Sequence, residues 1–409
     1  RLTILTYAGR MKAGPDIRRT ILTYAGHSLP MRVAVVVALA AWAYILAANT
    51  TRWRAALELS PGGVVHPVAN ASTVACSDHD FTANISGSRS LGISVDDVRR
   101  DAIRAEFVWS WHAYERYAWA RDELKPLSQT GADWVPGGMG LSILDNLDTL
   151  WLMGLEEEYE RARSFVSRDL RFDIDAEVNT FETTIRALAG LLSAHALTGD
   201  KLFLSRALSL GKRLLGAFKT DTQLPAPNVN LKTRRPGFAH WSNSLCTAEM
   251  GTLSLEFAQL SHASGDARFG EAVGRVAEHL ARAARRAKPH RHLLPIFFQS
   301  NGAPSTTEMI SLGARGDSYY EYLLKAWLQG GRTDATLRAR YDAAVGALSR
   351  HLVQRTRNGV AFVAEAYPHG PLKPKMDHLA CFLPGMLALG ATTAATTTVV
   401  TTAAATTTT

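Results

Sequence analysis

The sequence predicts an all-α protein built from repeated helical hairpins that close into an α/α barrel. Three observations carry this. Four segments read helix, tight glycine-containing turn, helix. Two of them align at a spacing of 66, with Phe203 matching Phe269. The segments between hairpins are long and partly extended, which suits the loop-bearing mouth of a barrel better than the short uniform turns of an open solenoid.

The elements follow in order. Ser94 with Asp97 resembles a capping box. Ile103, Phe107, Trp111, Tyr114 and Ala118 follow at helical spacing, and Pro126 closes the helix. The first hairpin turns at Gly154, between Leu141–Met153 and Glu157–Val166. The second turns at Gly199-Asp200, between Phe181–Leu197 and Leu202–Phe218. The third turns at Gly265-Asp266, between Ala248–Ala263 and Phe269–Ala284, and the fourth at Gly330-Gly331, between Tyr319–Leu328 and Ala335–Leu352. Leu293–Gln299 and Thr306–Leu312 flank Asn301-Gly302 and read as a β-hairpin; Gly359–Tyr367 is similar. Another helical segment, Asp377–Leu389, precedes a tail, residues 392–409, of Thr, Ala and Val alone.

The N-terminal part is of another kind. Residues 1–30 form an extension in which Thr3–Gly9 recurs as Thr20–Gly26, and Met31 followed by Arg32 makes a natural start. Val33–Ala48 is an uncharged run of 16 residues. It is short for a membrane span, which takes about 17–25 residues, and suits a signal peptide core or a short signal anchor, so 31–54 is read as such. A buried core helix is the bland alternative. Residues 55–93, rich in Gly, Ser, Pro and Asn, read as a stem, and 94–391 as the folded domain. The sequons at Asn49, Asn70 and Asn84 cluster beyond the apolar run and favour a lumenal side.

Charge distribution argues against nucleic acid. The net charge is +8, but residues 1–54 hold eight Lys/Arg against Asp16 alone, and 55–409 hold 37 basic and 36 acidic residues. The body has no basic bias with which to grip phosphates. Three cysteines, Cys76, Cys246 and Cys381, make no disulfide framework and no zinc spacing.

Acidic residues recur at the starts of helices. Asp145 and Asp148 lie on one face among leucines. Glu182 begins a helix with Arg186 four residues on, and Glu249 holds the comparable place in the next repeat. Arg315 and Asp317 precede Tyr319, Tyr320 and Glu321; Asp377-His378 begins the last segment. In a toroid these starts converge on one mouth, and a ring of carboxylates with aromatic faces suits a sugar site. Each has a bland reading too: dipole complement, an ordinary i, i+4 ion pair, a satisfied core histidine.

Five motifs in order resemble the class I α-1,2-mannosidase family, over about Val98–Gly390. They are Trp111-x-x-Tyr114-x-x-Tyr117-Ala118-Trp119 with Asp122–Pro126; Leu141–Leu150 with Met153-Gly154-Leu155; Val178–Arg186 through Ala194; Gly316–Lys325; and Lys375–Gly385. The resemblance implies an (α/α)7 barrel with short β-hairpins at one mouth, incomplete at its C-terminal end in this chain. It implies an inverting, calcium-dependent hydrolase that removes α-1,2-linked mannose from high-mannose N-glycans. Glu182 matches the proton donor, acting through water, and Arg186 its electrostatic partner. Asp317 matches a second essential acid, and Glu249, Arg315 and His378 line the mannose subsite. The implied compartment is the endoplasmic reticulum or Golgi, with a type II membrane topology through residues 33–48; the context of Cys381 leans towards the trimming branch.

The departures are specific. The family's base lies in an Arg-Pro-Glu motif, and here Arg235-Pro236 precedes Gly237. Its calcium ligand is a threonine in a Thr-Glu pair, which the tail does not supply, so no residue is assigned to metal. Cys381 matches half of a family disulfide, and Trp241–Met250 fits loosely. The chain as written is therefore expected to fold poorly and not to release mannose. The alternatives are a mannose-binding lectin-like module without catalysis and a non-functional fragment.

Overall fold

In a computed structural model the chain divides into two compact units, Arg1–Ile93 and Ser94–Thr409. The structure describes residues 97–238 and 244–393, all in the second unit. Ser94, the apolar run 33–48, the stem, the three sequons, Cys76, Trp241 and the Thr/Ala tail from residue 394 onward lie outside the described residues. None of the described helices is long and apolar enough to cross a membrane.

The described residues are predominantly helical, the class the sequence predicts. The long helix α1 (Asp97–Ala118) leads into a small hairpin, β1 (Glu123–Lys125) and β2 (Thr130–Ala132). Helical hairpins follow: α2 (Leu141–Leu152) with α3 (Glu156–Arg168), then a strand-led pair ending in α5 (Ala189–Thr198) and α6 (Lys201–Leu214). Next come α8 (Ser254–Ser264) with α9 (Ala267–Arg286), and α10 (Asp317–Gln329) with α11 (Ala335–His351). The helices α2, α5, α8 and α10 pack successively side by side as one layer, each backed by its hairpin partner. Residues 378–393 start a further helix through a 3₁₀ turn.

Local chemistry explains the turns. Gly199 and Gly265 end their helices at φ 71° and 72°, the left-handed conformation that a Cβ disfavours. The aspartate after each then caps the returning helix: Asp200 accepts from the Leu202 amide and Asp266 from the Arg268 amide. Asp334 caps α11 in the same way. The 66-residue repeat extends to details, since Thr198 and Ser264 donate to the Ala194 and Leu260 carbonyls and each accepts the amide of its capping aspartate. Phe203 and Phe269 are both fully buried.

Two expected helices are interrupted. The segment expected as Phe181–Leu197 is a short helix α4 (Thr180–Thr183), a π-helical turn at Thr184–Leu188, and then α5. The segment expected as Ala248–Ala263 breaks at Thr252–Leu253, between α7 (Thr247–Gly251) and α8.

Short strands join the layers at one end. In one sheet, β3 (Glu177–Asn179), β4 (Asn228–Asn230) and β5 (Pro236–Gly237) pair antiparallel, with Val178 opposite Val229. The expected hairpin around Asn301-Gly302 turns with Gly302 at φ 81°. Its strand β7 (Phe297–Phe298) also pairs with β6 (Leu245–Cys246), just ahead of α7. The region 353–373 forms two more pairs: β8 (Val353–Arg355) with β9 (Ala361–Val363), and β10 (Glu365–Ala366) with β11 (Leu372–Lys373).

The core is a continuous apolar layer between the helices, with Leu144, Leu147, Phe203, Phe257 and Phe269 fully buried. Close approach depends on Gly190 in α5: a Cβ there would sit 2.0 Å from the Leu144 carbonyl oxygen of α2. Gly190→Ala is therefore expected to cost about 1–3 kcal/mol, since two backbones must separate. Gly274→Ala on α9 meets nothing within 4 Å and should stabilise by about 0.5–1 kcal/mol. Urea midpoints of both variants check the opposite signs.

A second consequence concerns Glu256 of α8. It is only 8% exposed, and Tyr322 of α10 donates to one of its carboxylate oxygens at 2.8 Å. Burial pushes its pKa up to about 7, against the pull of the helix backbone, Tyr322 and Lys325. The folded chain thus holds a proton that the unfolded chain has released. Stability is expected to fall as pH rises from about 4.5 to about 7. Glu256→Gln should flatten that part of the pH–stability curve and raise stability at pH 8 by about 1–3 kcal/mol; melts across this range are the check.

Candidate active site

The row of carboxylates is set by how each inner segment begins. Asn179 ends β3 and caps α4, its side chain accepting from the Glu182 amide at 2.8 Å. Thr180, buried, donates its amide to the Pro227 carbonyl and its hydroxyl to the Ala226 carbonyl. One repeat on, buried Thr247 does the same, its amide to Ile296 and its hydroxyl to Pro295. Glu182 and Glu249 each lie two residues beyond such an anchor.

Glu182 is half-buried and accepts from Arg186 Nε at 2.8 Å. The same guanidinium reaches Asp145 of α2 at 3.3 Å and lies 5.8 Å from the centre of the Trp134 ring. Burial works against the charge on Arg186, and Glu182 and Asp145 outweigh it, so its pKa is raised. The i, i+4 pair expected from sequence is thus the middle of a larger group.

The π-helical turn has a structural reason. Glu182 and Glu249 are 67 residues apart, whereas Thr198 and Ser264 are 66 apart. The second repeat begins one residue closer to its turn, and the first absorbs its extra residue at Thr184–Leu188, the turn that carries Arg186.

Glu249 faces a lower-dielectric setting. Burial raises its pKa, nearby Arg315 pulls it down, and the charge of Glu182 pushes it up again. The Arg315 carbonyl accepts from the Ala248 amide at 2.9 Å, and its guanidinium lies 4.9 Å from the Phe297 ring centre. Arg315 sits at φ 73°, left-handed for a residue with a Cβ, the kind of strain concentrated at functional sites. Asp317 begins α10. Burial raises its pKa, hydrogen bonds from Ser318 oppose this, and Glu321 and Asp377 add to the rise. Asp377 packs against Gly313, where a Cβ would lie 2.2 Å from its own Cβ.

The structure thus brings Glu182, Arg186, Glu249 and Arg315 into one charged neighbourhood, with Asp317 next to it in the chain and within reach of Asp377. His378 is set apart: its side chain is 86% exposed, its nearest polar contact being Asp377 at 3.5 Å. Sequence reasoning left three residues out. Asp145, noted only for its helix face, pairs with Arg186. Trp134 covers Arg186, and Glu365 is buried beneath the loop that leads to Arg315, accepting from Ser311 at 3.2 Å with Lys375 at 3.6 Å. A tryptophan beside Gly137-Gly138 was the one local signal among them.

Chemically the group offers a carboxyl that can give or take a proton, held by a guanidinium, beside a second carboxyl of weakened acidity and an exposed indole. That combination suits an acid–base site for a hydroxyl-rich ligand.

Known proteins resemble the chain as a whole. The chain is 43% identical over 297 residues to the endoplasmic reticulum mannosyl-oligosaccharide 1,2-alpha-mannosidase of Rattus norvegicus, covering 71% of this chain and 44% of that protein. The human protein of the same name is 42% identical over 299 residues, 72% of this chain and 42% of the relative. That of Schizosaccharomyces pombe is 42% identical over 299 residues, 72% and 57%. The chain spans about half the length of these relatives or less. An alpha-1,2-mannosidase structure from Trichoderma reesei superposes with a TM-score of 0.66 at 27% identity, covering 72% of this chain and 63% of that one. It represents the (α/α)7-barrel class expected from the sequence. The profile of glycosyl hydrolase family 47 matches residues 106–409, and the chain belongs to that family.

Proposed function

We propose that this chain is part of a mannosyl-oligosaccharide α-1,2-mannosidase that removes terminal α-1,2-linked mannose from high-mannose N-glycans with inversion. The observation that carries it is the placement of Glu182: capped by Asn179, anchored through Thr180, and paired with Arg186 and Asp145. In this reading Glu182 is the general acid, delivering a proton towards the glycosidic oxygen through water, and Arg186 orients it. Glu249 and Arg315 hold sugar hydroxyls, and Trp134 offers a face to a pyranose ring. Asp317 is a second essential acid. His378 serves the mannose subsite from the rim, where its exposed ring can meet a ligand. Inversion places an acid and a base on opposite sides of the scissile bond, with room for a water beside the base. The sequence contains no Arg-Pro-Glu to supply the base of the family pattern.

Calcium is the family's metal. Among the described residues no three His, Cys, Asp or Glu side chains gather into a group that could hold an ion. The described side chains thus offer no acidic or histidine site that fits calcium. The compartment we infer is the secretory pathway, endoplasmic reticulum or Golgi, with residues 33–48 as the membrane segment of a type II protein. The names of the relatives and the sequons Asn49, Asn70 and Asn84 beyond the apolar run support it.

Binding and cleavage test the proposal separately. Binding of a high-mannose N-glycan to the full chain is read by calorimetry. Arg315→Ala is expected to weaken it about tenfold or more through loss of charged hydrogen bonds, and Glu182→Gln to leave it within about threefold. Cleavage is read as mannose release by a chimera in which residues 97–393 replace the matching segment of the human relative. There Glu182→Gln is expected to lower release by about 10²-fold or more. A glycan that does not bind, or release indifferent to Glu182→Gln, would overturn the assignment. Binding without release by the chimera would favour the lectin-like alternative.

A further inference from the structure

A cavity lies where the end of α9, the loop 287–295, the β7 hairpin and residues 368–369 meet. Its volume is about 420 Å³, within the range of about 300–1,000 Å³ typical of small-molecule sites. None of the residues of the candidate active site lines it. Its walls carry Arg282, Arg286, Lys288, His279, His290 and His369, and no Asp or Glu. We propose that this cleft binds a phosphate-type oxyanion, as free phosphate or as a phosphate monoester of a sugar, through Arg286, Lys288 and His290.

Charge and partnering carry the proposal together. Glu278, on the same helix, pairs with Arg285 at 3.1 Å, with Arg340, and more loosely with Arg282 at 3.8 Å. Arg286 and Lys288 have no ion-pair partner among the described residues. Both ring nitrogens of His290 are buried and neither closes a hydrogen bond of good geometry, the Tyr367 backbone being its one polar neighbour, and its ring packs edge-on against His351 at 5.2 Å. Buried polar atoms left unpaired are uncommon and call for a reason; the ring lines the cleft, and turned towards an oxyanion there it would gain a partner. Burial and His351 hold this imidazole below its usual range, against a weaker upward pull from the Tyr367 backbone. A bound anion would reverse that balance.

The ordinary account of Arg285 and Arg286 is that cations complement the negative end of a helix. It leaves out Lys288, beyond the helix, and the unpartnered imidazole. The helix end opposes an anion with about half a charge, against full charges on Arg282, Arg286 and Lys288. Another groove shows the contrast. About 400 Å³ in volume, it is lined by Lys212, Lys219, Arg234, Arg268 and Arg275. There Glu271 also lines the wall, and Arg268 is committed to Asp266 through two hydrogen bonds.

The test is a calorimetric titration of the full chain at low ionic strength with inorganic phosphate and with glucose 6-phosphate, glucose serving as control. Saturable binding is expected for at least one phosphate compound and none for glucose. Tighter binding of the monoester points to a sugar phosphate, and tighter or equal binding of inorganic phosphate to the free ion. The double variant Arg286→Ala with Lys288→Ala and the single variant His290→Gln should each weaken binding about tenfold or more, with Arg275→Ala unchanged. Arg286 and Lys288 are exposed, so the double variant leaves the fold in place, and circular dichroism melts confirm it for all three. Absence of saturation by either compound in the millimolar range overturns the proposal. So does equal weakening by Arg275→Ala, which would mean diffuse attraction to basic surface.

Discussion

The candidate site depends on two buried threonines. Thr180 and Thr247 each fix the first turn of an inner segment to the end of a neighbouring strand, through both the amide and the hydroxyl. A helix start frays unless its free amides find partners, and these starts find them in carbonyls that would otherwise be buried unpaired. The result is positional. Each glutamate two residues on stands at a defined height, because the backbone beneath it cannot slide along the strand. Loss of either hydroxyl would leave a buried carbonyl short of a donor, which costs about 1–3 kcal/mol, and would loosen the turn that presents the carboxylate.

Given those anchors, the electrostatics follow from spacing. Glu182 pairs with a guanidinium that also serves Asp145, so three charged groups share one partly exposed cluster. Glu249 is more enclosed, and its acidity reflects burial first, then the opposed influences of Arg315 and Glu182. Asp317 is treated similarly, with Asp377 as the like charge. Carboxyl groups in different settings along one row hold their protons differently, which an acid–base site requires. The strain at Arg315 belongs to the same arrangement: its carbonyl is tied to Ala248 while its side chain turns onto Phe297.

What the sequence made legible was local. The hairpin turns at Gly199-Asp200 and Gly265-Asp266 rest on a left-handed glycine followed by a capping aspartate, both decided within four residues. The amphipathic stripe of α9, buried at Phe269, Ala272, Val273, Val276 and Leu280, is likewise a matter of period. Illegible were contacts made across the chain. Asp122 reads as one acidic residue of a motif, yet its buried carboxylate accepts from the amides of Trp134, Met139 and Leu141 and so joins the β1–β2 hairpin to α2. Glu256 has no signal in its own helix, since its environment comes from Tyr322. The break at Thr252–Leu253 also went unseen, because the apolar period runs through it.

The two repeats finally show how one scaffold yields two different carboxylates. Glu182 and Glu249 start from the same kind of anchor, but what lies one helical turn further differs. After Glu182 that position is Arg186, carried on a π-helical turn that accommodates one extra residue. After Glu249 it is Leu253, fully buried, at a point where the helix breaks and restarts. The first carboxylate therefore has a cation on its own helix. The second must borrow one from Arg315 in the next repeat and is enclosed by apolar packing meanwhile. A single-residue difference in repeat length thus separates a carboxyl tied to a partly exposed ion pair from one held in a drier place. Divergence of that kind lets equivalent positions of a repeat protein take up distinct tasks without any change in the frame that holds them.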